Sequence, residues 1–336
     1  MTGLNRRPVY FLTLQPSTTP NLVVKGETRG AAGSPEVSIH WSSKLMKNVN
    51  NKLVNTKIMT PQEIQAFRAF AHTHFPPTSS QYQNSNVNYI WVKMPMVQGL
   101  SDADFLVHNG NFGTADVSKI QAAISKLDDD KVWSELGKVV AVDIFNGNND
   151  RFDTTTGQWQ NYGNIMFLAS GATKVIGLDT YDPNSPTADL ASGGAYPELL
   201  TLIDPVKRAA FALASVKSVG DVFRRELAGV QPGMTHLSIP VAGRPGTDLW
   251  IRVNRLPDFF MPYKQNFEDG IRLGADQLKN YLLQKHRQYS APGRQTLMAA
   301  HRAPTRQTFM GGHRTQPQKS LPPGIIARMK YLGWLP

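Results

Sequence analysis

The stretch LGKVVAVDIFNGNNDRF, residues 136–152, decides how the rest of the chain is read. It begins inside a helix expected over 132–145, then breaks at an Asn/Gly run into a tight loop that delivers Asp150 and Arg151. Two short apolar pieces follow, NIMFLA (164–169) and KVIGLD (174–179), separated by SGAT, and they read as a hairpin with polar residues at its mouth. Asn164 opens one strand of that hairpin and Asp179 closes the other. A loop Asp beside a hairpin bearing an Asn and an Asp is the set that phosphoryl transfer from a nucleotide requires. One carboxylate orients the acceptor hydroxyl, while an amide oxygen and a second carboxylate hold Mg²⁺ against the phosphates, hard oxygens being the ligands that ion prefers. A lone NGNND is a solvated turn in most proteins. The ordered set carries the weight.

Upstream, VYFLTL (9–14) and NLVVK (21–25) are β-branched or aromatic runs joined by QPSTTP, which is hairpin chemistry. Val37, Trp41, Leu45 and Val49 recur at helical spacing behind Pro35, so a helix with one buried face is expected over 36–49. Thr60 as N-cap, Pro61 in the first turn and Glu63 at the capping-box position predict a second helix over 60–74. The loop PPTSSQYQNSNVN then leads to a strand at 89–94. Beyond 99–113 helices dominate, over 116–127, 132–145, 197–216, 219–227 and 269–288. The fold class expected is therefore α+β, a small strand-rich part followed by a larger helical part.

Of 336 residues none is cysteine, which excludes disulfides, thiolate metal sites and cysteine nucleophiles. No run approaches the roughly 20 apolar residues of a membrane span, and the N-terminal residues read as a strand rather than a signal peptide. The histidines show no HExxH or paired-ligand spacing, so zinc chemistry is not expected, and no GxSxG supports a hydrolase elbow. A calcium loop at DIFNGNNDRFD fails because Phe145 stands where an oxygen ligand is needed. The net charge is +11, of which the last 52 residues contribute nine basic side chains and no acid. That tail, 285–336, repeats itself: RQTLMAAHR (294–302) returns as RQTFMGGHR (306–314). It reads as a flexible basic extension or as a docking arm for an acidic partner, an anionic lipid or nucleic acid, with Thr296 and Thr308 as phosphorylation sites, each two residues after an arginine. Its end, GIIARMKYLGWLP (324–336), regains apolar residues and is expected to fold back onto the body.

The residues 148–151 (NNDR), 163–167 (GNIMF) and the downstream Leu178-Asp179 resemble the catalytic loop and metal-binding hairpin of atypical kinases, nearest to the actin-fragmin kinase and phosphatidylinositol-kinase branch and more distantly to HipA-type kinases. The resemblance spans roughly residues 9–180. It implies a two-lobed protein-kinase-like fold, with an N-lobe over 1–98 and a C-lobe over 99–284, and ATP and Mg²⁺ as cofactors. By position it implies Asp150 as catalytic aspartate with Arg151 beside it, Asn164 and Asp179 as metal ligands, and Asp143 as a brace for Arg151. Lys25 falls where such kinases bind the α- or β-phosphate, and Glu36 where its ion-pair partner would stand. The strand ending at Met94, followed by Pro95, Met96 and residues 97–99, falls at the hinge whose backbone would hold adenine. Two departures stand out: no glycine-rich loop precedes Lys25, leaving GLNRR (3–7) or QPSTTP to cover phosphates, and residues 152–161 form an insertion between Arg151 and the Tyr-Gly-Asn.

The function implied is phosphotransfer to a protein Ser/Thr hydroxyl. A phosphoinositide kinase is an alternative, although DTYDPNSPTADLASGG (179–194) lacks the basic cluster that reads inositol phosphates. AMP transfer, or a catalytically dead scaffold acting through its basic tail, are others. A chain without cysteine, signal peptide or span suits the cytoplasm or delivery into a host cell as a secreted effector.

Overall fold

Strands β1 (Val9–Leu12), β2 (Leu22–Glu27), β3 (Lys57–Ile58) and β4 (Ile90–Pro95) form an antiparallel sheet in the order β1-β2-β4-β3. The computed structural model describes residues 8–18, 21–28, 34–50, 55–96, 100–101, 117–161, 164–168, 173–240, 246–290 and 320–336. Because side chains alternate across a strand, the sheet sorts its apolar residues onto two faces. Val24 and Trp91 pack with Tyr10, Met59 and Phe67 on one face. Ile90 and Val92 pack with Ile39, Tyr181 and Ala188 on the other. Phe67 comes from helix α2 (Pro61–His74), and its capping box is formed: Glu63 N–H donates to Thr60 Oγ1 at 3.3 Å and Thr60 N–H to Glu63 Oε2 at 2.9 Å. Ile39 comes from helix α1 (Pro35–Val49), whose Trp41 and Leu45 are fully buried as their spacing predicts. A short helix, α3 (Ser80–Ser85), forms inside the stretch expected to be loop, with Ser79 accepting from Tyr82 N–H as its N-cap.

The helical part is organised around helix α5 (Asp130–Asn146), which follows α4 (Val117–Leu127) and is buried on nearly every side. A helix apolar all round needs neighbours all round. One is α8 (Lys264–Ser290), and the two cross so closely that a Cβ on Gly137 would lie 2.3 Å from the Phe267 carbonyl oxygen. Another is α1. Helix α6 (Pro205–Val230) packs instead on α8 and α4, and is a single helix where two were expected, because Ser218 turns inward to accept from Trp159 N–H and the helix continues through Gly220. It starts at Pro205 rather than near 197, since Asp204 caps it; residues Pro197–Leu202 form a separate 3-10 turn. A hairpin of β8 (His236–Pro240) and β9 (Asp248–Arg252), unforeseen in the sequence, precedes the short helix α7 (Leu256–Phe259).

Strands β5 (Leu100–Ser101), β6 (Ile165–Phe167) and β7 (Val175–Gly177) form a second antiparallel sheet, which includes the expected hairpin. Its outer edge is satisfied by side chains: Asn50, at the end of α1, accepts from Gly177 N–H at 3.0 Å and donates to the Val175 carbonyl at 2.9 Å. Glu135 of α5 accepts from Val175 N–H at 2.9 Å. Two helices thereby hold the hairpin in register.

The boundary expected at 284/285 falls inside α8, which runs unbroken to Ser290. The basic segment is not one tail. Residues 320–336 belong to the core: Leu321, Ile325, Met329 and Trp334 are buried, the middle two on helix α9 (Pro323–Tyr331). The repeats at 294–314, and the boundary at 98/99, lie outside the described residues. Among the described residues no helix is long and apolar enough to cross a membrane. Taken together, these elements make a mixed structure of helices and small antiparallel sheets.

Candidate active site

Helix α5 ends where the sequence turns to Asn-Gly. Gly147 takes a left-handed conformation at φ 72°, and a Cβ there would lie 2.4 Å from the Thr187 carbonyl oxygen, so glycine alone fits. Asn148 then folds back, its N–H donating to the Asp143 carbonyl at 2.9 Å and its amide to Asp143 Oδ1 at 3.1 Å. Asn148 Oδ1 accepts from Asp150 N–H at 3.0 Å, which pins the backbone of the loop.

Arg151 is the hub. Its guanidinium is fully buried and pairs with both oxygens of Asp143, including Nε to Oδ2 at 2.7 Å. It also donates to the backbone carbonyls of Leu178 and Asp179, the latter at 3.0 Å, and to that of Asn164 at 3.4 Å. One side chain thus joins the helix, the loop and both strands of the hairpin. The brace expected between Asp143 and Arg151 is present, and Arg151 does more than expected. Burial pushes the Asp143 carboxyl up to about 6, against the opposing pull of Arg151.

The four residues expected for chemistry meet in two pairs. Asp150 Oδ2 accepts from the Asn164 amide at 2.5 Å, and its Oδ1 from Asn161 at 3.1 Å. Lys25 Nζ donates to Asp179 Oδ2, across 154 residues of sequence. Asp179 sits at φ 40°, a region that non-glycine residues rarely enter. Its carbonyl is held there by Arg151 and by Asn148 at 3.3 Å, so the surrounding bonds over-determine the strained turn. Lys25 and Asp179 are 13 % and 12 % exposed, which shields their pair from water without sealing it.

Other expected residues are placed differently. The ion pair expected from Glu36 is made by Glu27, two residues along the same strand as Lys25, at 3.0 Å; Glu36 stands half-buried in the first turn of α1. Met94 lies in β4 opposite Val23, against the apolar cluster that includes Tyr181. Met96 N–H donates to the Asn21 carbonyl at 3.0 Å, so this amide is engaged within the sheet instead of being presented to a base. Residues 97–99, the rest of the expected hinge, and 3–7 and 162–163 lie outside the described residues.

Sequence reading missed the supports. Arg328 of α9 is fully buried and donates to the carbonyls of Phe145 and Thr187, both at 2.5 Å, and of Asp189 at 3.2 Å. Trp334 stacks on Phe145 with ring centroids 5.8 Å apart. The Tyr196 hydroxyl donates to the Ile144 carbonyl. A cation and a hydroxyl therefore cap the carbonyl end of the helix that delivers Asp150. The available signal was an arginine set inside an apolar helical stripe. Arg328→Met keeps the volume but leaves three buried carbonyls unserved, and should lower unfolding free energy by about 2–3 kcal/mol in urea denaturation. A shift under about 0.5 kcal/mol would show the cap to be dispensable.

Among the described residues no three His, Asp or Glu side chains converge, so a self-contained metal cage is not what these residues build. Asn164 and Asp179, the two residues expected as metal ligands, are each engaged in a pair of their own, Asn164 donating to Asp150 and Asp179 accepting from Lys25. The chain matches no protein-family model, no curated protein and no solved structure.

Proposed function

We propose that the protein is an ATP- and Mg²⁺-dependent phosphotransferase of two-lobed, protein-kinase-like build, acting on a Ser or Thr hydroxyl of a polypeptide. The observation that carries the reading is the joint pairing of Lys25 with Asp179 and of Asp150 with Asn164. These four residues come from a strand of the first sheet, a helix-following loop and both ends of a hairpin, and Asn148 links the two pairs by accepting from Asp150 N–H and donating to the Asp179 carbonyl.

The roles follow from the charges. Lys25 offers an ammonium to nucleotide phosphate, and Glu27 and Asp179 hold it in place. Asp179 and Asn164 would hold Mg²⁺, which neutralises charge on the phosphate oxygens when bound. Asp150, steadied by two amides, accepts the proton of the attacking hydroxyl. Arg151 touches no reactant in this scheme and keeps the loop and hairpin in register.

The test is the intact mass of the protein after incubation with Mg-ATP and a mixed protein extract, beside Asp179→Ala. A phosphate-sized gain, on the protein or on extract proteins, with wild type alone supports the reading. An AMP-sized gain would keep the nucleotide site and change the bond that breaks. The Asp179→Ala variant should also lose Mg²⁺-dependent ATP binding in titration calorimetry, and wild-type affinity in that variant would remove Asp179 from the metal site.

A further inference from the structure

The hairpin of β8 and β9 leaves one edge open. Its register sets His236 opposite Arg252, Leu237 opposite Ile251 and Ser238 opposite Trp250. Val253 N–H donates to the Thr235 carbonyl at 3.0 Å, so those two residues form a bonded pair. By the alternation of an antiparallel ladder, Leu237 with Ile251 and Ile239 with Leu249 are bonded pairs too, and the N–H and C=O groups of the residues between them point away from the hairpin. On the β8 side helix α4 takes up these outward groups: Gln121 donates to the Ser238 carbonyl at 2.5 Å and Ser125 to that of Pro240 at 3.5 Å. On the β9 side they belong to Asp248, Trp250 and Arg252, and among the described residues no strand pairs there. Beyond β8, only α7, close behind in the chain, makes more than marginal contact with β9 among the described residues.

Large apolar side chains lie along this open edge. Trp250 is 69 % exposed on the outer face of the hairpin, and Leu249, on the inner face, is 43 % exposed although its neighbour Ile251 is buried. An unpaired edge flanked by apolar side chains on both faces is a template for another strand. The strand reads Asp-Leu-Trp-Ile-Arg, which complements itself when reversed. Laid antiparallel on a second copy about Trp250, it sets Asp248 against Arg252 twice, Leu249 against Ile251 and Trp250 against its own counterpart. The outward backbone groups of all three edge residues find partners in that register. Asp248 accepts from Ser238 through one oxygen, which leaves the other for a guanidinium, and Arg252 meets no carboxylate among the described residues. Sliding the register by two residues in either direction sets a charged end against Trp250 and loses both ion pairs.

We propose that β9 is the interface of a homodimer, two copies joining edge to edge about a twofold axis at Trp250 to make a four-stranded sheet in the order β8-β9-β9-β8. The interface is isologous and closed, because the pairing uses up the open edge of both copies. It is short, one five-residue strand from each copy, so the dimer belongs to the weak class that forms and dissociates with concentration. None of its residues belongs to the phosphotransfer site, and the pairing holds or fails independently of that reading.

Sedimentation velocity of the full chain should show a monomer–dimer equilibrium that shifts with concentration. Asp248→Arg and Arg252→Asp should each weaken dimerisation about tenfold or more, because each sets like charges opposite one another at both ends of the strand pair. Mixed in equal amounts, the two variants should form a heterodimer about as tightly as wild type dimerises, since arginine then faces aspartate at both ends. Local unfolding of the hairpin could not give that recovery. A second measurement uses the absence of cysteine from the chain. Across a bonded antiparallel pair the Cα atoms stand about 5.5 Å apart, within the span of a disulfide. Trp250→Cys should therefore cross-link to its own copy under mild oxidation, and Val206→Cys, at a position 78 % exposed on α6, should not. A monomer even at the highest soluble concentration, charge variants that dimerise like wild type, mixing without recovery, or equal cross-linking of the two cysteine variants would each overturn the proposal.

Discussion

Asp150→Ala is expected to lower phosphotransfer by at least about 100-fold, the scale for loss of a positioned general base. The carboxylate is held by Asn161 and Asn164, and its backbone is fixed by Asn148, so the substitution removes the proton acceptor while leaving the loop's main anchors in place. Nucleotide affinity should change far less, because Lys25 and Asp179 sit in the other pair. Single-turnover rates with saturating Mg-ATP, read beside calorimetric affinity, separate the two effects. Asp150→Asn, nearly isosteric, should match the alanine variant in rate. Undiminished turnover in either would place the base elsewhere and remove the central element of the proposed mechanism.

The largest effect on stability is expected from Asp143→Ala, at about 3–5 kcal/mol, because it strands a buried guanidinium without its counter-charge. Asp143 and Arg151 are both fully buried, and Arg151 also serves three backbone carbonyls, so the residue cannot swing out to water without unlatching the hairpin. Arg151→Met in the same chain should recover part of the loss, since it removes the orphaned charge, and urea denaturation of the two single variants and the pair measures the coupling. If Asp143→Ala unfolds within about 1 kcal/mol of wild type, the pair is not the brace.

The same carboxylate has a signed pH dependence. Its folded-state pKa stands near 6, above the ordinary 3.8, so the folded state holds the proton more tightly than the unfolded chain does. Relative to its protonated form the ionised carboxyl is disfavoured by burial, so this titration costs the folded state stability as pH rises from about 4 through about 6. The ionised pair still holds the guanidinium better than no partner would. Wild type should therefore lose stability relative to Asp143→Asn across that window.

Much of the site was legible because its chemistry is local. An Asn/Gly run after an apolar helix can only be a tight turn, and Asp150 had to leave it; the capping box at Thr60 and Glu63 was legible for the same reason. The hairpin bearing Asn164 and Asp179 was readable from two short apolar runs, and the pairing of Asp143 with Arg151 followed from the resemblance. Reading failed where partners are distant in sequence or where two acids compete for one base. Glu27, which the sequence did not single out, makes a 3.0 Å pair to Lys25, because neighbours two apart on a strand share a face. Met96 was placed in a hinge whose backbone would hold adenine, and its N–H is taken up by the Asn21 carbonyl at 3.0 Å.

The sequence by itself determined helices α1, α2, α4 and α5 and the hairpin after them, the turn that releases Asp150 and the charge of the C-terminal region. Those depend on spacing, capping and turn chemistry within a few residues. Only the tertiary structure decided that Arg151 clamps three backbone carbonyls at the two ends of the hairpin, that Asp179 is held at positive φ, and that the last helix is core with Arg328 capping α5. The reason is that a buried cation declares itself by the carbonyls around it, and those carbonyls belong to residues up to 183 positions away.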